Sequence, residues 1–283
     1  MVAQAPAPSS ANNYPEVLAG GLRIGCLGRA DLTRLMVQEC IEARVSAAAA
    51  PKLVFGANGQ AISLAARDAE FRRFHEVADH VHADGQPLVF AARLLASPRI
   101  PERSPVTDFF HDAASAACRH GLRFFLLGGT EENNAACARI MQDRYPGLVI
   151  AGRHHGYFPP ERESEICARI NAAQADVVWI GLGLPLEQSF CVRNRRRIRA
   201  GWLVAAGGCF NYVTGHYRRA PRWMQIAGLE WLHRLWREPR RLFWRYAVTN
   251  PHALFLLLTR TSGLHAARAG WTKADVRTAG TAG

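Results

Sequence analysis

The residues of this chain whose types and spacing could do chemistry are an aspartate in His82-Ala83-Asp84-Gly85 and three glycine-rich turns. Asp84 sits where a carboxylate could take a proton from an attacking hydroxyl. A free aspartate is ionised at neutral pH but is a weak base unless desolvation strengthens it. Asp-Gly is also a common turn pair, so an ordinary turn stands beside the catalytic reading. The turns are Gly128-Gly129, Gly181-Leu182-Gly183 and Gly207-Gly208, each closing an apolar run. Glycine lets a backbone approach a diphosphate closely at the carboxyl end of a strand. It also occurs in strand-to-helix turns for purely conformational reasons. Carboxylate and turns together suggest transfer from an activated, phosphate-bearing donor.

Other chemistries lack their residues. Gly181-Leu182-Gly183 has no third glycine of a dinucleotide fingerprint, and no GxxxxGK[ST] or GxSxG occurs. No Asp-x-Asp is present; Asp68-Ala69-Glu70 is the nearest imitation, on a charged stretch that reads as a solvated helix surface. His154 and His155 are adjacent and would point apart in extended chain, a poor metal pair. Neither a metal nor a cofactor is expected. The seven cysteines are scattered without a CxxC, which suits a reducing cytoplasm.

Between His216 and Tyr246 lie eight arginines, two glutamates and four of the seven tryptophans. That segment carries half of the formal charge of +12. Basic residues interleaved with aromatics suit a helix on an anionic membrane surface or a grip on a phosphate-rich ligand. The same composition is compatible with single-stranded nucleic acid or with a plain solvated face. The longest apolar run near the C-terminus, Ala253 to Leu258, is far short of the roughly 20 residues a bilayer span needs. Residues 1–20 lack the pattern of a signal peptide and read as a disordered tail.

The elements that must position these groups follow from hydrophobic pattern. Leu53–Phe55, Phe124–Leu127, Val149–Ala151, Val177–Ile180 and Trp202–Ala206 read as buried strands. Helices are expected over Gln60–Val77, from Leu88, over Glu131–Tyr145 and over Glu161–Asn171, with Asp84-Gly85 in a turn between two helical stretches. Alternation of apolar strands and helices indicates an α/β fold, a Rossmann-like parallel sheet with helices on both faces. The expected organisation is a tail over 1–20, a core over 21–215, a basic helical appendage over 216–262 and a flexible tail over 263–283.

The ordered blocks resemble the WecG/TagA/CpsF glycosyltransferases, also called glycosyltransferase family 26. They are Asn58, His82-Ala83-Asp84-Gly85, Glu102-Arg103, Thr107-Asp108 and Phe125-Leu126-Leu127-Gly128-Gly129. Tyr145-Pro146-Gly147-Leu148, His155-Gly156-Tyr157-Phe158, Gly181-Leu182-Gly183-Leu184-Pro185 and Gly207-Gly208-Cys209-Phe210 follow. The last are Arg219-Ala220-Pro221, Gly228-Leu229-Glu230-Trp231, Arg234 and Glu238-Pro239-Arg240-Arg241. The resemblance implies an inverting, metal-independent enzyme that moves a sugar from a UDP-sugar to a polyprenyl-diphosphate-linked sugar during envelope-polysaccharide or exopolysaccharide synthesis. It implies Asp84 as catalytic base. Asn58, Gly128, Gly129, Gly181, Gly183, Pro185, Glu187, Gln188, Phe210 and Asn211 would surround the nucleotide-sugar. Arg219, Arg222, Arg234, Arg237 and Arg241 would hold the lipid diphosphate or the departing UDP. The protein would be cytoplasmic and peripheral on the inner face of the membrane, with no nucleic-acid partner; self-association is left open.

Three departures from the family pattern fall near the donor. Gly56 stands where threonine is common, Glu187-Gln188 exchanges the usual amide and carboxylate, and Asn211 replaces an aspartate. Glucose, N-acetylmannosamine and its uronic acid all stay open as donor sugars. The competing readings are transfer to a soluble acceptor, a basic nucleic-acid-binding protein and a non-catalytic scaffold.

Overall fold

The computed structural model describes residues 14–46 and 50–264. The expectations for residues 1–13 and 265–283 lie outside the described residues. A hairpin comes first: β1 (Glu16–Ala19) pairs antiparallel with β2 (Leu22–Gly25) across Gly20 and Gly21, both at positive φ. The disordered tail expected over 1–20 therefore needs correcting at its C-terminal end. Val17 and Ala19 alternate inward and are fully buried, which is enough to hold a short strand.

The chain continues through α1 (Arg29–Val45), β3 (Lys52–Ala57), α2 (Gly59–Ala65), α3 (Ala69–Glu76), β4 (His80–Ala83), α4 (Gln86–Leu95) and α5 (Val106–His120). Next come β5 (Arg123–Gly128), α6 (Glu131–Arg144), β6 (Val149–His154), α7 (Glu163–Ala172), β7 (Val177–Gly181), α8 (Leu186–Asn194), β8 (Trp202–Ala205) and α9 (Cys209–Val213). The helix expected over Gln60–Val77 is two helices. Asp68 breaks it by accepting the amide hydrogens of Glu70 and Phe71 as the N-cap of α3. Asp84 does not lie between two helices but at the carboxyl end of β4. A four-residue strand with two histidines carries little of the apolar signal by which strands are recognised.

Six strands form one parallel sheet in the order β4-β3-β8-β7-β5-β6. Parallel strands demand crossover helices, and these cover both faces. Alternate residues of each strand therefore enter different cores. Phe124, Leu126, Val177, Trp179, Trp202 and Val204 pack with α1, α5 and α6 on one face. Phe125, Leu127, Val178, Ile180, Leu203 and Ala205 pack with α7 and α8 on the other. After β5 the chain moves outward to β6, whereas after β7 it moves the opposite way to β8. Neighbouring strands that lead in opposite directions leave a crevice at their carboxyl ends, the usual ligand site of an open α/β sheet.

The basic segment forms α10 (Arg222–Ile226), α11 (Glu230–Arg237) and α12 (Pro239–Thr259). It is docked rather than appended. Ala253, Leu256 and Leu257 of α12 are buried in a third core with Ala61, Ile62, Leu88 and the β1–β2 hairpin. His252 Nδ1 lies 2.9 Å from Ser63 Oγ, and β9 (Ser262–Gly263) adds to β1. The expected appendage is therefore not separable, and Gly263, expected to open the tail, belongs to β9. Deleting everything after His216 would uncover this core, so truncation cannot isolate the segment's role.

Candidate active site

The carboxyl ends of the strands collect the expected catalytic and donor residues. Asn58 follows β3 and caps α2, its Oδ1 accepting the Ala61 amide at 3.1 Å. Its Nδ2 donates to Asp84 Oδ2 at 3.1 Å, while the Val106 amide donates to Asp84 Oδ1 at 3.0 Å. The Asp84 carboxylate, half-buried, is thus held from two sides. Each oxygen keeps a second lone pair for an incoming hydroxyl. Asn58 serves Asp84 as much as any ligand, a role sequence alone did not suggest.

Behind Asp84, His82 is fully buried, and burial lowers its pKa against the opposing effect of Asp84. A Cβ at Gly56 would lie 3.2 Å from both Asp84 Cβ and His82 Cε1. A threonine there would need these two side chains to give way by a few tenths of an ångström.

The residues expected to surround the donor divide into rim and floor. Gly128 and Gly181 pair in register across β5 and β7, and a Cβ on Gly128 would stand 2.3 Å from the Gly181 carbonyl oxygen. Gly128 and Gly129 both have positive φ, so glycine is required on backbone grounds as well. Gly183 has open space beyond its Cα, and Pro185 is exposed at the start of α8. Glu187, Gln188 and Phe210 are buried and form the floor: the Phe210 ring comes 3.3 Å from where a Gly181 Cβ would be. Glu187 Oε2 accepts the amides of Gly183 at 3.1 Å and Gly207 at 2.9 Å, tying the second turn to the third. Those two amides are therefore engaged within the protein. Asn211 Oδ1 accepts from Asn133 Nδ2 at 3.0 Å, and Asn133 Oδ1 in turn accepts from Thr214.

The five expected arginines do not converge. Arg219 pairs with Asp108 at 2.9 Å and Glu230 at 3.2 Å, and donates to Thr107. Arg241 pairs with Glu238 at 2.5 Å. Arg234 lies over the Tyr217 ring, 5.7 Å from its centroid. Arg237 is exposed. Arg222 alone of the five lines a cleft of about 560 Å³ between α4, α5 and α10. Arg29, Arg93 and Arg103, which sequence reasoning gave no role, line it too. Arg103 is fixed by Glu230 at 2.6 Å and Gln225 at 2.9 Å. Glu102 and Asp108 line the cleft as well, Arg29 is paired with Asp112 at 2.7 Å and Arg103 with Glu230, so among the described residues Arg93 and Arg222 are its guanidinium groups without an ion pair. Gln86 and Pro105 also line the cleft, the first two residues from Asp84 and the second next to Val106, whose amide binds Asp84. The arrangement offers a carboxylate at the mouth of a sheet crevice and, beside it, an arginine-lined recess in which Arg93 and Arg222 could meet phosphate. Only Arg103 stood in a motif block; nothing in the local pattern around Arg29 or Arg93 marks them.

Among the described residues, no helix is long and apolar enough to cross a membrane. The exposed faces of α10 to α12 nevertheless present Trp223, Trp236, Phe243, Trp244 and Phe255, at 51–84% exposure. A family model described as the glycosyl transferase WecG/TagA/CpsF family matches residues 21–266.

Proposed function

Because the chain belongs to the WecG/TagA/CpsF glycosyltransferase family, whose activity serves cell-envelope polysaccharide synthesis, we propose that it transfers a sugar from a UDP-sugar to a polyprenyl-diphosphate-linked sugar, with inversion and without a metal. Asp84 removes the proton from the acceptor hydroxyl as its oxygen attacks the anomeric carbon. The bond to UDP breaks on the opposite face, and the leaving diphosphate carries away the electron pair. The arginine-lined cleft beside Asp84 binds diphosphate charge through forked hydrogen bonds from Arg93 and Arg222, its guanidinium groups without an ion pair among the described residues. The observation that carries this reading is the fixation of Asp84 by Asn58 and Val106 next to that cleft.

The test is UDP release by the full chain, with a panel of UDP-sugars, a polyprenyl-diphosphate-linked N-acetylglucosamine or glucose, and EDTA. Acceptor-dependent release that survives EDTA is the expected result. Release abolished by EDTA and restored by magnesium would overturn metal independence, and equal release without acceptor would overturn transfer.

The exposed aromatics and arginines of α10 to α12 support docking on an anionic membrane, the surface where a polyprenyl acceptor resides. Trp236 and Trp244, 84% and 75% exposed, can be replaced without opening the core. Trp236→Ser with Trp244→Ser is expected to weaken binding to phosphatidylglycerol vesicles by roughly tenfold or more, with unchanged melting temperature. Unaltered vesicle sedimentation of the double variant would defeat membrane docking through this face.

A further inference from the structure

Glu187 is 3% exposed, yet it is a carboxyl group at the floor of a crevice read as the site of a diphosphate. Its Oε2 accepts the Gly183 and Gly207 amides, which follow the neighbouring strands β7 and β8. One carboxyl group therefore sets the spacing of two of the three glycine turns. Its Oε1 lies 3.4 Å from Gln188 Nε2, and Gln188 Oε1 is buried without a hydrogen-bond partner. A half-turn of that amide would bring its oxygen towards Glu187. The pair can then serve either protonation state: a carboxylate accepting from the amide N–H, or a carboxylic acid donating to the amide oxygen.

The surroundings favour the proton. Asp84, beyond β4, is the charged group that acts on Glu187. On α3, which packs against α8, His75 is buried and kept neutral, its pKa pushed down to about 4. On α8 itself, the buried Cys191 thiol is raised well above its usual range. Lys52 belongs to the opposite, amino end of β3, where it meets Asp79, and β8 (Trp202–Ala205) contributes no titratable side chain. Burial, which outweighs the hydrogen bonds from Gly207, Gly183 and Gln188, pushes Glu187 up to about 7.

We infer that Glu187 is a positioning residue of the donor site that takes up a proton when a nucleoside-diphosphate sugar binds. The inference rests on the nucleotide-donor reading given above. A diphosphate brought to the turns adds negative charge near Glu187 in a poorly solvated setting, which disfavours the carboxylate. The neutral acid can still accept both glycine amides through its carbonyl oxygen, so the turns keep their spacing. Bound Glu187 holds its proton to higher pH than free Glu187. Donor affinity is then constant at low pH and falls as pH rises through the free group's range. A UDP-sugar is a diphosphate diester, whose phosphates stay ionised across this window and contribute no titration of their own.

The experiment is titration calorimetry of the full chain with UDP-glucose and UDP-N-acetylmannosamine, in buffers of different ionisation enthalpy, from pH 6 to 8.5. Wild type is expected to take up part of one proton near pH 7 and to lose about three- to tenfold in affinity by pH 8.5. Glu187→Gln, whose amide oxygen can still accept both glycine N–H groups, should bind with little proton uptake and a flat pH profile. Asp84→Asn should retain the uptake. Zero uptake by wild type, the same pH dependence in Glu187→Gln, or loss of uptake in Asp84→Asn would each overturn the assignment. Failure of both nucleotides to bind wild type would instead overturn the donor reading beneath it. A fold-level readout accompanies this. The folded chain keeps a proton that the unfolded chain loses, so wild-type stability falls from about pH 4.5 to about 7, and Glu187→Gln should escape that loss. Parallel stability profiles for the two proteins would also overturn the assignment.

Discussion

Asp84→Asn should lower acceptor-dependent UDP release by about 10²–10⁴-fold, the usual contribution of a positioned general base. The amide keeps the shape of the carboxylate but cannot accept the hydroxyl proton. Its local cost is definable. If the new carbonyl oxygen stays on the Val106 amide, the new NH₂ faces Asn58 Nδ2, donor against donor. Asn58 cannot simply turn over, because its Oδ1 is committed to the Ala61 amide at the start of α2. The mismatch should cost about 1–3 kcal/mol, well below the 5–15 kcal/mol by which domains are typically stable. The variant is therefore expected to fold, to bind donor with nearly unchanged affinity and to fail in transfer. Steady-state rates with donor and acceptor both saturating, beside a urea melt, separate these effects. A rate within fivefold of wild type would remove Asp84 from the chemistry.

Gly128→Ala should have the largest effect on the fold of any single methyl group considered. Gly128 has φ of +140°, and the added Cβ would stand 2.3 Å from the Gly181 carbonyl oxygen and 2.8 Å from its Cα. Those atoms are backbone of the adjoining strand, so no side chain can swing aside. Backbone strain of about 1–3 kcal/mol acts together with overpacking of about 1–3 kcal/mol, a substantial share of the stability of a domain. Relief requires β5 and β7 to part at their carboxyl ends, where the crevice begins. Donor binding should be lost along with stability. Gly183→Ala is the contrast, since its φ is +78° but nothing lies within 4 Å of the new Cβ. It should cost only about 1–2 kcal/mol, the strain of a left-handed residue. Equal urea midpoints for the two variants would show that the contact between strands has no special weight.

Much of the fold was legible in the residues because its signals are local. Apolar runs ending in glycine mark β5, β7 and β8, and their continuous burial is what a two-faced parallel sheet requires. Ordered blocks from Asn58 to Arg241 carry the family resemblance, and the family match over residues 21–266 agrees with it. The sequence by itself also determined the basic, aromatic character of the last helices.

Tertiary structure decided the rest, because it depends on which distant segments become neighbours. Asp84 acquires Asn58 from 26 residues away and the Val106 amide from 22, through strand order that no local pattern encodes. Arg219 loses much of its availability to Asp108, 111 residues earlier, while Arg222, three residues on, faces the cleft with Arg93 and Arg103. In the sequence these two arginines look alike. In the sequence Glu187 reads as one more residue around the nucleotide-sugar, yet the turns after β7 and β8 enclose it and make two glycine amides its partners. Periodicity reports which face of an element is apolar. Only the packing of elements settles which charges are paired, which are buried and which are left for a substrate.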